Sequence, residues 1–253
     1  MDIRDRQACA AGDASWLDVI RVDGHALIAA AEPNWSRPVP DCPGWDAAGL
    51  VRHTGTIAAW MAAILATGER VRFRSLPVPP EDDADLRAWF LANVDRTIGA
   101  LKQADPQQHV WTFSSLGDDR VSWWRRRLAV EVAIHRWDAQ RAASSEGGSV
   151  PAPLNADVAA AGVEEFVTEF LPGMLSGCVD RPCGAVGLLL TDATDYVLAL
   201  DDMVGDEHPV GQVQATVRGT SSAVLLWLTN RGIDSVDLRG DGDLLGAWPR
   251  LRR

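Results

Sequence analysis

Four times between residues 13 and 143, apolar side chains recur every three or four positions, with Gly, Pro or acidic turns between the stretches. That spacing gives each stretch one apolar face at helical period, and such a face is stable only when packed against another element. The first stretch, residues 13–31, carries Trp16, Leu17, Ile20, Leu27 and Ile28. The second, residues 46–67, follows the turn Asp41-Cys-Pro-Gly-Trp-Asp46 and stops at Gly68. Asp46 is placed to cap its start and Gly68 its end. The third carries Leu86, Trp89, Phe90, Val94, Ile98 and Leu101, after a Pro-rich acidic connection and before Pro106. The fourth, about residues 121–143, carries Leu128, Val130, Val132, Ile134 and Trp137. Four long helices with short or crossover connections predict a four-helix bundle.

The pattern changes after Ser144-Ser-Glu-Gly-Gly-Ser-Val-Pro-Ala-Pro153. Residues 154–171 read as a helix ending at Pro172-Gly173. Residues 185–190 and 196–200, separated by Thr191-Asp-Ala-Thr-Asp195, predict a β-hairpin. Residues 212–217 alternate as a half-buried strand, Gly219-Thr-Ser-Ser222 opens an apolar helix over 223–228, and a strand at 235–238 precedes a short helix at 241–251. The expected organisation is two domains, a mainly α one at 1–150 and a smaller α+β one at 151–253. Composition agrees: nine of the eleven Trp lie in the first 137 residues, and the acidic excess falls mostly in the second half, 15 acids against 7 bases there and 20 against 17 before it.

A net charge of −11 argues against nucleic acid as a partner, since counterion release favours basic proteins. No apolar run approaches the ~20 residues that cross a bilayer, and the first residues alternate charges without the apolar core of a signal peptide. The expectation is a cytoplasmic protein without a membrane partner; the sequence leaves its oligomeric state open. Cys9, Cys42, Cys178 and Cys183 form no C-x-x-C pair, so free thiols are expected, with a Cys178–Cys183 bridge as the alternative.

Chemistry concentrates on the fourth helix. Glu131 and His135 stand at i and i+4, so carboxylate and imidazole project from one face. The bland reading of such a pair is an exposed helical ion pair. The apolar run from Leu128 to Trp137 argues for burial, where polar groups need partners. His53, within the second helix, is a candidate third ligand, and Asp138 a candidate acceptor for an imidazole N–H. Two His and one carboxylate suit a catalytic zinc site with an open position. The same set suits non-haem Fe(II), so ligand identity does not fix the metal. His25, His109 and His208 show no metal spacing, and no dinucleotide-binding glycine pattern, Walker loop or nucleophile elbow is present.

These residues also carry a resemblance. Val39-Pro-Asp-Cys-Pro-Gly-Trp-Asp46 followed by Leu50-Val-Arg-His53, and Arg127-Leu-Ala-Val-Glu131-Val-Ala-Ile-His135-Arg-Trp-Asp138, resemble the two signatures of the mycothiol-dependent maleylpyruvate isomerase family. Leu189-Leu-Thr-Asp192, Val217-Arg-Gly-Thr-Ser221, Leu225-Leu-Trp-Leu228, Arg231 and Gly240-Asp241 are similar, more loosely, to its smaller domain. The first dozen residues and the loop at 69–83 match no family pattern. The resemblance implies a DinB-like bundle, a sterol-carrier-like α+β domain, and zinc held by His53, Glu131 and His135. It further implies a thiol transferase or isomerase in which the metal activates mycothiol, a low-molecular-weight thiol, for attack on a small electrophile.

Trp45, Trp60, Trp123 and Trp124 are candidates to stack on the sugar rings of the thiol, Trp45 and Trp60 first among them, although core packing with a satisfied indole N–H is the stronger reading for any one of them. Arg218 and Arg231 flank the last apolar helix and are candidates to orient an acidic co-substrate, with ordinary ion pairing as the bland reading. Two other functions fit the same residues: a metal-stabilised small-molecule binding protein without catalysis, and a metal-dependent hydrolase that uses water. Gly219-Thr-Ser-Ser222 reads either as an anion cradle or as a plain N-cap.

Overall fold

The four apolar stretches fold into α1 (Asp13–Ala31), α2 (Ala47–Thr67), α3 (Leu86–Gln103) and α4 (Val121–Ser144) in a computed structural model that describes residues 13–144, 150–176, 183–200, 213–232 and 235–248. Local chemistry sets the ends of α2. The Asp46 carboxylate accepts from the Gly49 N–H at 2.7 Å, and Gly68 closes the helix at φ 74°, its N–H reaching Ile64 O at 2.7 Å. The end of α3 is covered from a distance: the buried Arg125 guanidinium of α4 donates to Leu101 O and Ala104 O at 2.6 and 2.9 Å, satisfying carbonyls the helix itself leaves unpaired.

α1 packs mainly on α4 and α2 on α3. Ile20, Leu27, Leu50, Met61, Leu86, Phe90, Leu101 and Leu128 are fully buried between them, each such side chain contributing about 1.5–3 kcal/mol. The α2–α3 contact depends on Gly55, where an added Cβ would lie 2.3 and 2.7 Å from ring atoms of Trp89. Gly55→Ala therefore lowers stability by about 1–3 kcal/mol, the usual cost of overpacking, despite its better helix propensity; a chemical-denaturation midpoint equal to the parent's would contradict this packing. The Pro-rich connection from α2 to α3 is held by Arg52, which donates to Pro80 O (3.0 Å), Glu81 O (2.8 Å) and Asp83 Oδ1 (2.7 Å).

The chain divides into two compact units that meet in sequence at Leu154 and Asn155. In the second, α5 (Ala156–Glu165) continues through a π turn (Phe166–Phe170) into α6 (Leu171–Ser176). This corrects the expected stop at Pro172-Gly173. Proline in a helix lacks a donor and its ring crowds the carbonyl four residues back. Here that carbonyl belongs to Thr168, inside the wider π turn, where Leu171 N–H bonds Phe166 O, so the helix continues past the proline.

The sheet has the order β2-β1-β3-β4, with β1 (Ala185–Leu190), β2 (Tyr196–Ala199), β3 (Ala215–Gly219) and β4 (Asp237–Gly240). β1 and β2 form the expected antiparallel hairpin. β3 pairs β1 in parallel, Leu188 opposite Val217, and β4 antiparallel, Val217 opposite Leu238. α7 (Ser221–Leu228) follows β3 with Thr220 as its N-cap, which is the bland reading of Gly219-Thr-Ser-Ser222. Asp241 caps α8 (Gly242–Ala247). Trp227 and Trp248 stack at 4.8 Å in the core of this unit. The molecule thus has the expected class, a mainly α four-helix bundle with a smaller α+β part. Cys9, Cys178 and His208 lie outside the described residues. Among the described residues no helix is long and apolar enough to cross a membrane.

Candidate metal centre

The turn before α2 is built by its own backbone. Trp45 N–H bonds Cys42 O at 3.0 Å, Cys42 N–H bonds Val39 O at 3.1 Å, and Val39 N–H bonds Trp45 O at 3.0 Å. Gly44 takes the left-handed conformation this tight path requires, φ 85°. The turn sets the Trp45 ring over His53, centroids 4.7 Å apart, and 6.3 Å from His135. His53 projects from the first part of α2, and Glu131 and His135 from the middle of α4.

There the three side chains meet. His53 Nε2 lies 3.2 Å and His135 Nε2 3.1 Å from the same Glu131 oxygen, Oε1. Among the described residues, His53, Glu131 and His135 are the group of three that offers ligand atoms all within 4.8 Å of one another. The wholly buried Asp138 accepts from His135 Nδ1 at 2.9 Å and from Cys42 Sγ at 3.6 Å. Arg127, one turn before Glu131, pairs with its other oxygen.

Burial disfavours the Glu131 carboxylate, but Arg127 and His135 beside it outweigh burial and hold its pKa well below the usual carboxylate range. Burial likewise disfavours a charged His135, and the Glu131 charge with the Asp138 hydrogen bond reverses this, pushing it up to about 9.

This donor set fits a divalent cation. The Asp138 bond fixes the His135 proton on Nδ1, leaving Nε2 as the ligand atom, the arrangement found behind metal-bound histidines. Two ligand atoms each ~2.0–2.1 Å from a tetrahedral zinc stand about 3.3 Å apart, close to the spacings of 3.1 and 3.2 Å seen here. Below its raised pKa His135 carries a proton on each nitrogen, so a cation can enter only as the Nε2 proton leaves, with the Nδ1 proton still donated to Asp138. Zinc affinity of the metal-free protein should therefore climb about tenfold per pH unit through neutrality and level off near the pKa of about 9. Competition titrations between pH 6.5 and 9.5 measure the slope, and an affinity independent of pH would contradict the arrangement.

Of the outlying candidates, only Trp45 is placed against the imidazoles. Trp60 stands two turns further along α2, its ring near Phe73 (4.5 Å), Trp111 (5.7 Å) and Trp124 (5.5 Å), with Nε1 donating to Val71 O. Trp123 and Trp124 are buried. In the C-terminal unit Arg218 is exposed on β3 opposite Asp237, whereas Arg231 is buried and donates to Thr229 O at 2.8 Å. His109 pairs with Asp119 at 2.7 Å in a loop. Two members of the cluster were missed in the sequence. Arg127 was legible as an i,i+4 partner of Glu131. Cys42 was not, because its contact with Asp138 spans 96 positions.

Residues 17–140 match the family described as the mycothiol maleylpyruvate isomerase N-terminal domain. No curated protein sequence matches the chain. Among solved structures, the fold is similar to that of a mycothiol-dependent maleylpyruvate isomerase, with a TM-score of 0.65 and 17% identity over 91% of this chain and 95% of that one. A histidine-to-alanine mutant of a mycothiol-dependent maleylpyruvate isomerase gives a TM-score of 0.64 and 16% identity over the same shares.

Proposed function

With residues 17–140 belonging to the mycothiol maleylpyruvate isomerase N-terminal domain family, we propose that this chain is a metal-dependent, mycothiol-using thiol transferase or isomerase. The observation that carries this reading is the convergence of His53 and His135 on one Glu131 oxygen, with Asp138 behind His135. Those three side chains would hold the metal, which we take to be zinc. Three protein ligands leave a position open. A cation there, when bound, supplies a thiolate at neutral pH, the nucleophile that isomerisation by addition and elimination, or S-conjugation, requires.

The chain's own residues prepare that position. Asp138 holds His135 in the ligating tautomer, and Arg127 keeps Glu131 ionised and oriented. Trp45 stands beside the imidazoles, its ring 4.7 Å from that of His53, an aromatic surface that suits a sugar ring of the thiol. Trp60, two turns away, is a weaker candidate for that role. Arg218, with its exposed guanidinium, is the better placed of the two C-terminal arginines to meet an acidic co-substrate; Arg231 already serves a backbone carbonyl. In this reading residues 1–150 form a DinB-like metal-binding domain, residues 151–253 the family's small domain, and the protein works in the cytoplasm, where thiols stay reduced.

The test is a thiol-consumption assay on the zinc-loaded full chain with mycothiol and a panel of small electrophiles. Turnover that needs both zinc and thiol is the expected result. Tight binding without product would replace this reading with a carrier, and product formation without thiol would replace it with a hydrolase.

A further inference from the structure

Beside Trp60, which stands two helical turns or roughly 10 Å along α2 from His53, an open groove is lined by Trp60, Phe73, Trp111, Phe113 and the arginines of the segment Arg70-Val-Arg-Phe-Arg74. The groove is open to solvent and offers about 520 Å³, and an equally open hollow of about 630 Å³ shares its Arg70, Arg72 and Arg74 wall. Small-molecule sites run ~300–1,000 Å³. Phe73 and Phe113 leave 50% and 40% of their surface exposed at its rim, an unusual expense of aromatic area in water.

The walls are held in place rather than loose. Val71 O accepts from Trp60 Nε1 at 2.7 Å, Trp111 N–H bonds Gly68 O at 2.9 Å, and Ser75 N–H bonds Arg72 O at 2.9 Å. Aromatic faces are therefore presented at fixed angles: Phe73 stacks on Trp60 at 4.5 Å, and Phe113 lies nearly parallel to Trp60 at 6.4 Å. Charge completes the picture. In a chain of net charge −11, three arginines stand together without an ion-pair partner among the described residues. Arg70 lies over the Trp111 ring at 5.5 Å, while Arg72 and Arg74 are exposed at the mouth.

We propose that this groove is a binding site for a planar aromatic carboxylate, its ring against the Phe73, Trp111 and Phe113 faces and its carboxylate on Arg72 and Arg74. Aromatic rings favour offset or edge contacts with such walls, and guanidinium forks match a carboxylate in two parallel hydrogen bonds. Arg70, Arg72 and Arg74 concentrate positive charge at the groove in a chain of net charge −11, so a carboxylate is attracted there. The site needs neither the metal nor the thiol.

Titration of ¹⁵N-labelled full-length protein with 2-naphthoate tests this through the indole N–H signals of Trp60 and Trp111. Saturable shifts are expected, with at least tenfold weaker binding of cyclohexanecarboxylate, which keeps the charge, and of naphthalene-2-methanol, which keeps the ring. The double variant Arg72→Gln, Arg74→Gln should lose at least tenfold in affinity for 2-naphthoate while its remaining spectrum stays that of the parent. No saturable shift at millimolar 2-naphthoate, equal binding of the aliphatic acid, or undiminished binding by the double variant overturns the proposal. So does displacement of naphthoate by lower concentrations of single-stranded RNA, which would make the patch a nucleic-acid surface. The readout is binding alone, so it stands whether or not the metal centre turns over a thiol.

Discussion

His135→Ala should abolish stoichiometric zinc and thiol-dependent turnover together. His135 is the best-determined member of the triad: its Nδ1 is committed to the buried Asp138 and its Nε2 sits 3.1 Å from Glu131 Oε1. Alanine removes one of the three proposed ligand atoms and leaves the Asp138 carboxylate without its imidazole donor. Losing an outer hydrogen-bond partner alone costs about 10–100-fold in metal affinity or activity. The loss of a ligand itself should exceed that, and Asp138→Asn should fall within it. Metal analysis after dialysis reads the first quantity and the mycothiol assay the second, with circular dichroism to show that the bundle still forms. Zinc at one per chain together with full turnover in His135→Ala would refute the metal centre.

The second large effect is structural and falls on the other unit. Gly240 adopts φ 94° at the end of β4, and a Cβ there would lie 2.2 Å from Gln214 O and 2.9 Å from Ala215 Cα. Both obstacles are backbone of the adjoining strand region, so no rotamer change relieves them. Adding a positive-φ cost of ~1–2 kcal/mol to an overpacking cost of ~1–3 kcal/mol, Gly240→Ala destabilises the C-terminal unit by about 2–5 kcal/mol. For a unit near 100 residues that lowers its melting transition by roughly 10 °C or more. Calorimetry of the full chain measures it, and zinc stoichiometry should remain that of the parent because the proposed ligands His53, Glu131 and His135 belong to the bundle. An unchanged transition would mean that β3 and β4 do not meet as described.

The sequence was informative wherever structure is decided within a few residues. Asp46 and Gly68 cap α2 as their chemistry predicts, the apolar spacing locates α1 to α4, and Glu131 and His135 share a face because helical geometry leaves them no other arrangement. What stayed hidden depends on distant partners. The parallel pairing of β1 with β3 joins segments about 30 residues apart, and the alternation in β3 states only which face is buried, not which strand lies beside it. Pro172 reads as a helix stop until the π turn before it is seen. The resemblance makes Trp60 a candidate to stack on the thiol; its neighbours Phe73, Trp111 and Trp124 come from three other segments and gather only in the folded chain. Cys42 and Asp138 meet for the same non-local reason.

The bundle is two helix pairs, α1 with α4 and α2 with α3, and the triad draws one residue from α2 and two from α4. Its contacts span 78 positions between His53 and Glu131. A cation held there would rivet one pair to the other, closing a long loop in the way a disulfide does. Unlike a disulfide, such a rivet opens without a change of redox state, so withdrawing the cation would loosen the seam between the pairs while leaving each pair's own apolar contacts intact.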